Sequence, residues 1–244
     1  EIRALQKLKK QLNVSFSKAV DQIAKCQSKV ILCGVGKSGL IASKIAATLA
    51  SVGTPSFSLS ASEASHGDLG MISKKDILVL ISNSGETSEL KNIIQYANRN
   101  KILLIGIVSK KESILYRASD IKLLTPKVIE AEGIVPTSST TVQLALGDAL
   151  AIATMKYRKF GKMDFKKLHP AGSLGAQLKT VEDIMVTGSL IPFVNVAVIS
   201  VTPAIEAASA ALIASDTVAV DAAFNVTASV IKAAITSAPV PVIV

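Results

Sequence analysis

The sequence predicts an α/β fold: a five-stranded parallel sheet with helices on both faces, forming a three-layer sandwich. Three observations carry this expectation. Short apolar runs without alternation, such as Ile77–Ile81, read as strands buried on both sides. These runs take turns with segments of helical length and period, the order that builds a parallel sheet. The first run, Val30–Cys33, ends in a glycine-rich turn, Gly34-Val35-Gly36-Lys37-Ser38-Gly39, that leads into a helix.

The elements follow in order. Residues 2–27 read as one amphipathic helix, with Leu5, Leu8, Leu12, Phe16, Val20 and Ile23 at three- and four-residue steps. Lys29–Cys33 is the first strand. Ser38–Ser51 is a helix whose small residues, Ala42, Ala46 and Ala47 among them, allow close packing on a sheet. Gly53-Thr54-Pro55 breaks the chain before a second strand, Ser56–Leu59, and Ala61–Gly70 is a loop or short helix. Asp76–Ser82 is the third strand, Glu89–Asn100 a helix, Ile102–Val108 the fourth strand, Ser113–Ala118 a short helix and Asp120–Leu124 the fifth strand. Ile134–Lys159 is expected to be a long helix.

Composition narrows the function. The 244-residue chain carries a formal charge of +9, and Lys232 is the only basic residue after position 186. Scattered lysines and few aromatics do not suit nucleic-acid binding, whereas attraction of a phosphorylated small molecule accounts for the charge. Cys26 and Cys33 show no metal or redox spacing, which fits a reducing cytoplasm. No signal peptide or membrane span is expected. A chain that starts at Glu1 rather than Met is expected to be a fragment or a processed product.

Three turns invite a phosphate. Gly36, Lys37 and Ser38 open a helix, where free N–H groups and the positive end of the dipole favour an anion. The spacing is neither that of a nucleotide P-loop nor that of a dinucleotide turn. Ser82-Asn83-Ser84-Gly85-Glu86-Thr87 follows the third strand with three hydroxyls, and Ser138-Ser139-Thr140-Thr141 repeats the pattern. N-capping alone needs one hydroxyl per helix start.

GVGKSG, GTPSF, EASHGDLGM, ISNSGET, PTSSTT, GDALA and LHPAGSLG occur in this order. Together they resemble the sugar isomerase (SIS) domain family, and within it the arabinose 5-phosphate isomerases of the Kdo branch of lipopolysaccharide synthesis. The resemblance spans residues 2–186 and implies a flavodoxin-like sheet over 1–179. It implies interconversion of ribulose 5-phosphate and arabinose 5-phosphate through an enediol, with no cofactor. A homotetramer with active sites near subunit interfaces is also implied.

By the same resemblance Lys37, Glu89, Glu130 and His169 are catalytic. Gly36, Ser38, Gly53, Thr54, His66, Ser82, Ser84, Thr87, Ser139 and Thr140 bind substrate. The segment Glu130–Pro136 is shorter than the family's usual one, so Glu132 competes with Glu130. Some relatives place a zinc-binding histidine where Ser60 stands, and no metal is expected here. The alternatives are another phosphosugar isomerase, such as a hexulose phosphate isomerase, or a sugar-phosphate-sensing regulator that has lost catalysis. Thr180–Gly188 resembles the opening of a CBS domain, so 180–244 is expected to be a partial or degenerate CBS region, with a nucleotide as its ligand.

Overall fold

A computed structural model describes residues 1–169, 181 and 185–191. The chain divides into two units, Glu1–Leu178 and Lys179–Val244. The CBS region and its nucleotide, expected over 180–244, lie outside the described residues except at 181 and 185–191, where Gly188–Leu190 forms one 3₁₀ turn.

The first unit is the expected sandwich. Its elements are α1 (Ile2–Gln11), α2 (Val14–Lys25), β1 (Val30–Gly34), α3 (Lys37–Ser51), β2 (Ser56–Ser60), α4 (Ala61–Ala64), β3 (Ile77–Ile81), α5 (Lys91–Asn100), β4 (Leu103–Val108), α6 (Ile114–Ala118), β5 (Ile121–Leu124), α7 (Ser138–Tyr157) and α8 (Lys162–Leu168). The five strands are all parallel, in the order β2-β1-β3-β4-β5. Because strand side chains alternate, each strand feeds two cores. Val30 and Leu32 of β1 and Ile77, Val79 and Ile81 of β3 join α1, α2, α3 and α7 on one face. Ile31, Cys33, Leu78 and Leu80 join α4, α5 and α6 on the other. Cys33 is buried, and desolvation pushes its thiol up to about 12, which leaves it unreactive.

Two elements differ most from expectation. The single helix over 2–27 is two, broken where Asn13 takes an extended conformation and its side chain accepts from the Ser15 N–H at 2.8 Å. The apolar period runs across this break, but Leu12 is 43% exposed and does not belong to the buried stripe. The long helix begins at Ser138, not Ile134. Pro136 pushes Val135 toward extended backbone. Ala131 and Val135 instead pair as a hairpin whose tip, Glu132 and Gly133, has positive φ at both residues.

The amino ends of β1 and β3 are tied by a buried carboxylate. Asp76 accepts from the Ser28 hydroxyl at 2.6 Å, the Ser73 N–H at 2.6 Å and the Lys29 ammonium at 3.0 Å. Burial pushes its carboxyl up, and the bonds from Ser28, Ser73 and Lys29 outweigh burial, so it sits below the ordinary range. The unfolded chain then binds this proton more readily, so the contribution is complete above the unfolded value near pH ~4 and fades as pH falls below it. Asp76→Asn is expected to lose about 2–3 kcal/mol at pH 7, measured by urea unfolding, with the difference from wild type shrinking at pH ~3.5.

Candidate active site at the carboxyl edge of the sheet

The strand order reverses between β1 and β3: the chain leaves β1 toward β2 on one side, while β3 pairs on the other. The turns after these two strands therefore diverge and leave a crevice at their carboxyl ends, where ligands bind in open α/β sheets. The turn after β1 carries Gly36, Lys37 and Ser38. Gly36 adopts φ 58 and offers no side chain to cap α3; its carbonyl accepts from the Gly39 N–H at 3.0 Å and the Leu40 N–H at 3.2 Å, which leaves the N–H groups of Lys37 and Ser38 for an anion. Lys37 is the first residue of the helix and is exposed.

The turn after β3 is held by its own hydroxyls. Ser82, buried, accepts from the Gly85 N–H at 2.9 Å and pairs with the Thr87 hydroxyl at 2.8 Å. Glu86 turns away, and its Oε1 accepts from the Ile114 N–H at 3.0 Å, capping α6. Of the three hydroxyls expected to cradle phosphate, two shape the loop. Ser84 accepts only from the Glu86 N–H at 3.2 Å among the described residues. Glu89, expected as the first residue of the next helix, lies instead in a 3₁₀ turn, Ser88–Leu90, just ahead of α5. Its exposed carboxylate is lowered by its own backbone N–H and by the Ser88 hydroxyl at 2.8 Å.

Glu130 is placed by the start of α7. Its Oε2 accepts from the Thr137 N–H at 2.9 Å and the Ser139 N–H at 3.2 Å, and the Ser138 N–H and the Ser139 hydroxyl also lie against the carboxylate. Burial raises its carboxyl, but the Ser139 hydroxyl and the N–H groups of residues 137–139 lower it further, so it is anionic at neutral pH. The carboxylate is thus held at the start of α7 and remains partly exposed. Glu132, at the hairpin tip, is exposed and has no such anchor. Ser139 is buried, and the Thr140 hydroxyl donates back to the Thr137 carbonyl at 2.8 Å. One turn further along α7, Gln143 accepts from the Ser38 hydroxyl at 3.2 Å and so joins this group to the first turn of α3. Sequence reasoning missed Gln143, although a lone amide between Val142 and Leu144 in an apolar helix was a visible signal.

The other expected residues are not all here. His66 stands exposed on the turn between α4 and the 3₁₀ turn Asp68–Met71. Ser60, where some relatives hold histidine, caps α4 through the Glu63 N–H. His169 ends α8, with its ring stacked on Phe165 at 3.8 Å and Nδ1 2.9 Å from the Phe165 carbonyl. A carbonyl can only accept, so Nδ1 donates this bond. Gly53 and Thr54 lie at the opposite, amino edge, past the far end of α3, about 20 Å along the helix from Lys37. There the Gly53 carbonyl accepts from Arg158 at 3.0 Å, and Thr54 is buried with its hydroxyl unpaired. One chain does not bring them to the Lys37 crevice.

Comparison with known proteins identifies the family of this fold. The chain is 48% identical over 198 residues to the arabinose 5-phosphate isomerase KdsD of Yersinia pestis, covering 80% of this chain and 60% of that protein. It is 46% identical over the same length and shares to KdsD of Escherichia coli K12. The chain thus spans about three fifths of the curated relatives it matches. Among solved structures, c3406 of E. coli CFT073 in complex with arabinose 5-phosphate superposes with a TM-score of 0.64 at 39% identity, covering 68% of this chain and 92% of that one. The SIS domain model matches residues 22–153, from within α2 to within α7 and so across all five strands and the turns after β1 and β3: the chain belongs to the SIS domain family.

Proposed function

We propose that this protein is an aldose–ketose isomerase that interconverts D-ribulose 5-phosphate and D-arabinose 5-phosphate. The observation that carries the reading is Glu130, an anionic and partly exposed carboxylate anchored at the start of α7 and joined through that helix to the start of α3. Likeness to the KdsD isomerases and to the arabinose 5-phosphate complex supports the choice of substrate.

The chemistry follows from the groups present. The phosphate lies against the first turns of α3 and of the loop after β3, with Lys37 and Ser84 as side-chain donors. A carboxylate, Glu130 or Glu89, removes a proton from C1 of the ketose, giving an enediol. Return of a proton to C2, with the carbonyl re-formed at C1, completes the aldose; no redox partner is needed. Lys37 supplies its positive charge either to that phosphate or to the oxyanion that develops on oxygen. His169, whose Nδ1 is held by the Phe165 carbonyl, carries protons between sugar oxygens or opens the ring.

The same reading places the protein in a homotetramer with active sites near subunit interfaces, where His169 reaches the substrate from a neighbouring subunit. It also places the reaction before Kdo synthesis and extends the family domain over 1–179. A proton NMR time course with ribulose 5-phosphate in D2O tests the activity: arabinose 5-phosphate carrying deuterium at C2 is expected, and binding without conversion would leave a sensor. Ser84→Ala is expected to raise KM about five- to tenfold with kcat little changed, because the phosphate is held equally in ground and transition states. An unchanged KM in a folded variant removes Ser84 from the phosphate site.

A further inference from the structure

α3 and α7 run side by side in the same direction. Ser38 meets Gln143, Lys44 pairs with Asp148, and Gly147 lies so close under Ile45 that any Cβ would collide with it. Within this apolar contact Gln143 is only 1% exposed, and its one hydrogen-bond partner among the described residues is the Ser38 hydroxyl. Leucine or methionine would fill the space without the cost of burying an amide. A glutamine offers something they lack: an acceptor and a donor that exchange places by a half turn of the terminal amide. With Oε1 toward Ser38, as here, the single hydroxyl proton is committed to the amide. With Nε2 toward Ser38, the amide donates and the hydroxyl proton is released toward the start of α3.

We infer that Gln143 is a positioning residue of the anion site, which steadies the Ser38 hydroxyl and, with its amide turned, directs that proton onto a bound phosphate group. The chain amide to hydroxyl to phosphate polarises along its length, which strengthens the last bond. The inference rests on reading the start of α3 as phosphate-binding.

Its test is a double-mutant cycle on the full chain. Calorimetric titration with inorganic phosphate is run beside steady-state kinetics for wild type, Gln143→Met, Ser38→Ala and the double variant. Methionine keeps the volume and removes both polar ends. Gln143→Met is expected to weaken phosphate binding and raise KM about five- to tenfold, with kcat within about twofold of wild type. In the Ser38→Ala background the same change is expected to add less than about twofold, since Gln143 acts through that hydroxyl. Equal phosphate affinity with and without Gln143, an equal loss in both backgrounds, or no phosphate binding by wild type overturns the inference. A lower Tm with unchanged phosphate affinity does so too, assigning Gln143 to packing. Wild type that follows the expected binding pattern yet converts no pentose phosphate overturns the isomerase reading and leaves this inference standing.

Discussion

Glu130→Gln is expected to lower kcat by about 100-fold or more, the scale of a lost general base, while Glu132→Gln stays within about twofold of wild type. The two carboxylates differ in what holds them. Glu130 Oε2 is fixed by two N–H groups at the start of α7, so Oε1 points in one direction at little further entropic cost. Glu132 stands on the exposed tip of a hairpin. A base that must meet a C–H proton within hydrogen-bonding reach needs the first situation. The lowered carboxyl of Glu130 also sets a pH dependence: kcat/KM is expected to hold at neutral pH and to fall only as pH drops below the ordinary glutamate range near ~4. Steady-state turnover of pentose phosphate by both variants decides the assignment, and equal losses at 130 and 132 would show that the hairpin itself, not one carboxylate, sustains activity. Circular dichroism separates chemistry from folding, because the glutamine side chain in Glu130→Gln would still offer an oxygen to the start of α7.

The strands were legible in the sequence because parallel strands covered on both faces need unbroken apolar runs, and Ile77–Ile81 and Leu103–Val108 have them. The break at Asn13 was not, because an N-cap is a single polar residue and the apolar period on either side remains in phase. The late start of α7 depends on a type of turn, positive φ at Glu132 and Gly133, that needs backbone geometry to be seen. At the site, hydroxyl-rich helix starts were visible, but not which hydroxyls face inward. Ser82 and Thr87 bond each other, and Thr140 bonds its own backbone, choices set by loop closure rather than by residue type. The link from Gln143 to Ser38 crosses more than a hundred residues, and no local pattern announces such a pair.

Gly34→Ala is expected to lower kcat/KM by about 100-fold, as great an effect as loss of the base, without touching a reacting group. Gly34 ends β1 and Gly39 lies in the first turn of α3, and the two backbones meet without side chains between them. A Cβ on Gly34 would stand 2.7 Å from the carbonyl carbon and oxygen of Ser38 and 2.9 Å from the Gly39 nitrogen. All three are backbone atoms, so no rotamer change relieves the clash, and the start of α3 must move by several tenths of an ångström. That shift carries Lys37, Ser38 and the anion-facing N–H groups with it, while Glu130 and Ser139 stay with α7. Overpacking of this kind costs about 1–3 kcal/mol, so the variant is expected to fold with a lower Tm and to be read kinetically. Gly70→Ala is the control, since a Cβ there meets nothing within 4 Å and its φ is not positive. If Gly34→Ala folds and keeps wild-type kcat/KM, the close approach of β1 to α3 does not set the geometry of the crevice. Loss of activity at Gly34 with none at Gly70 would mean that the spacing of two backbones, held by glycine, places the phosphate against the base.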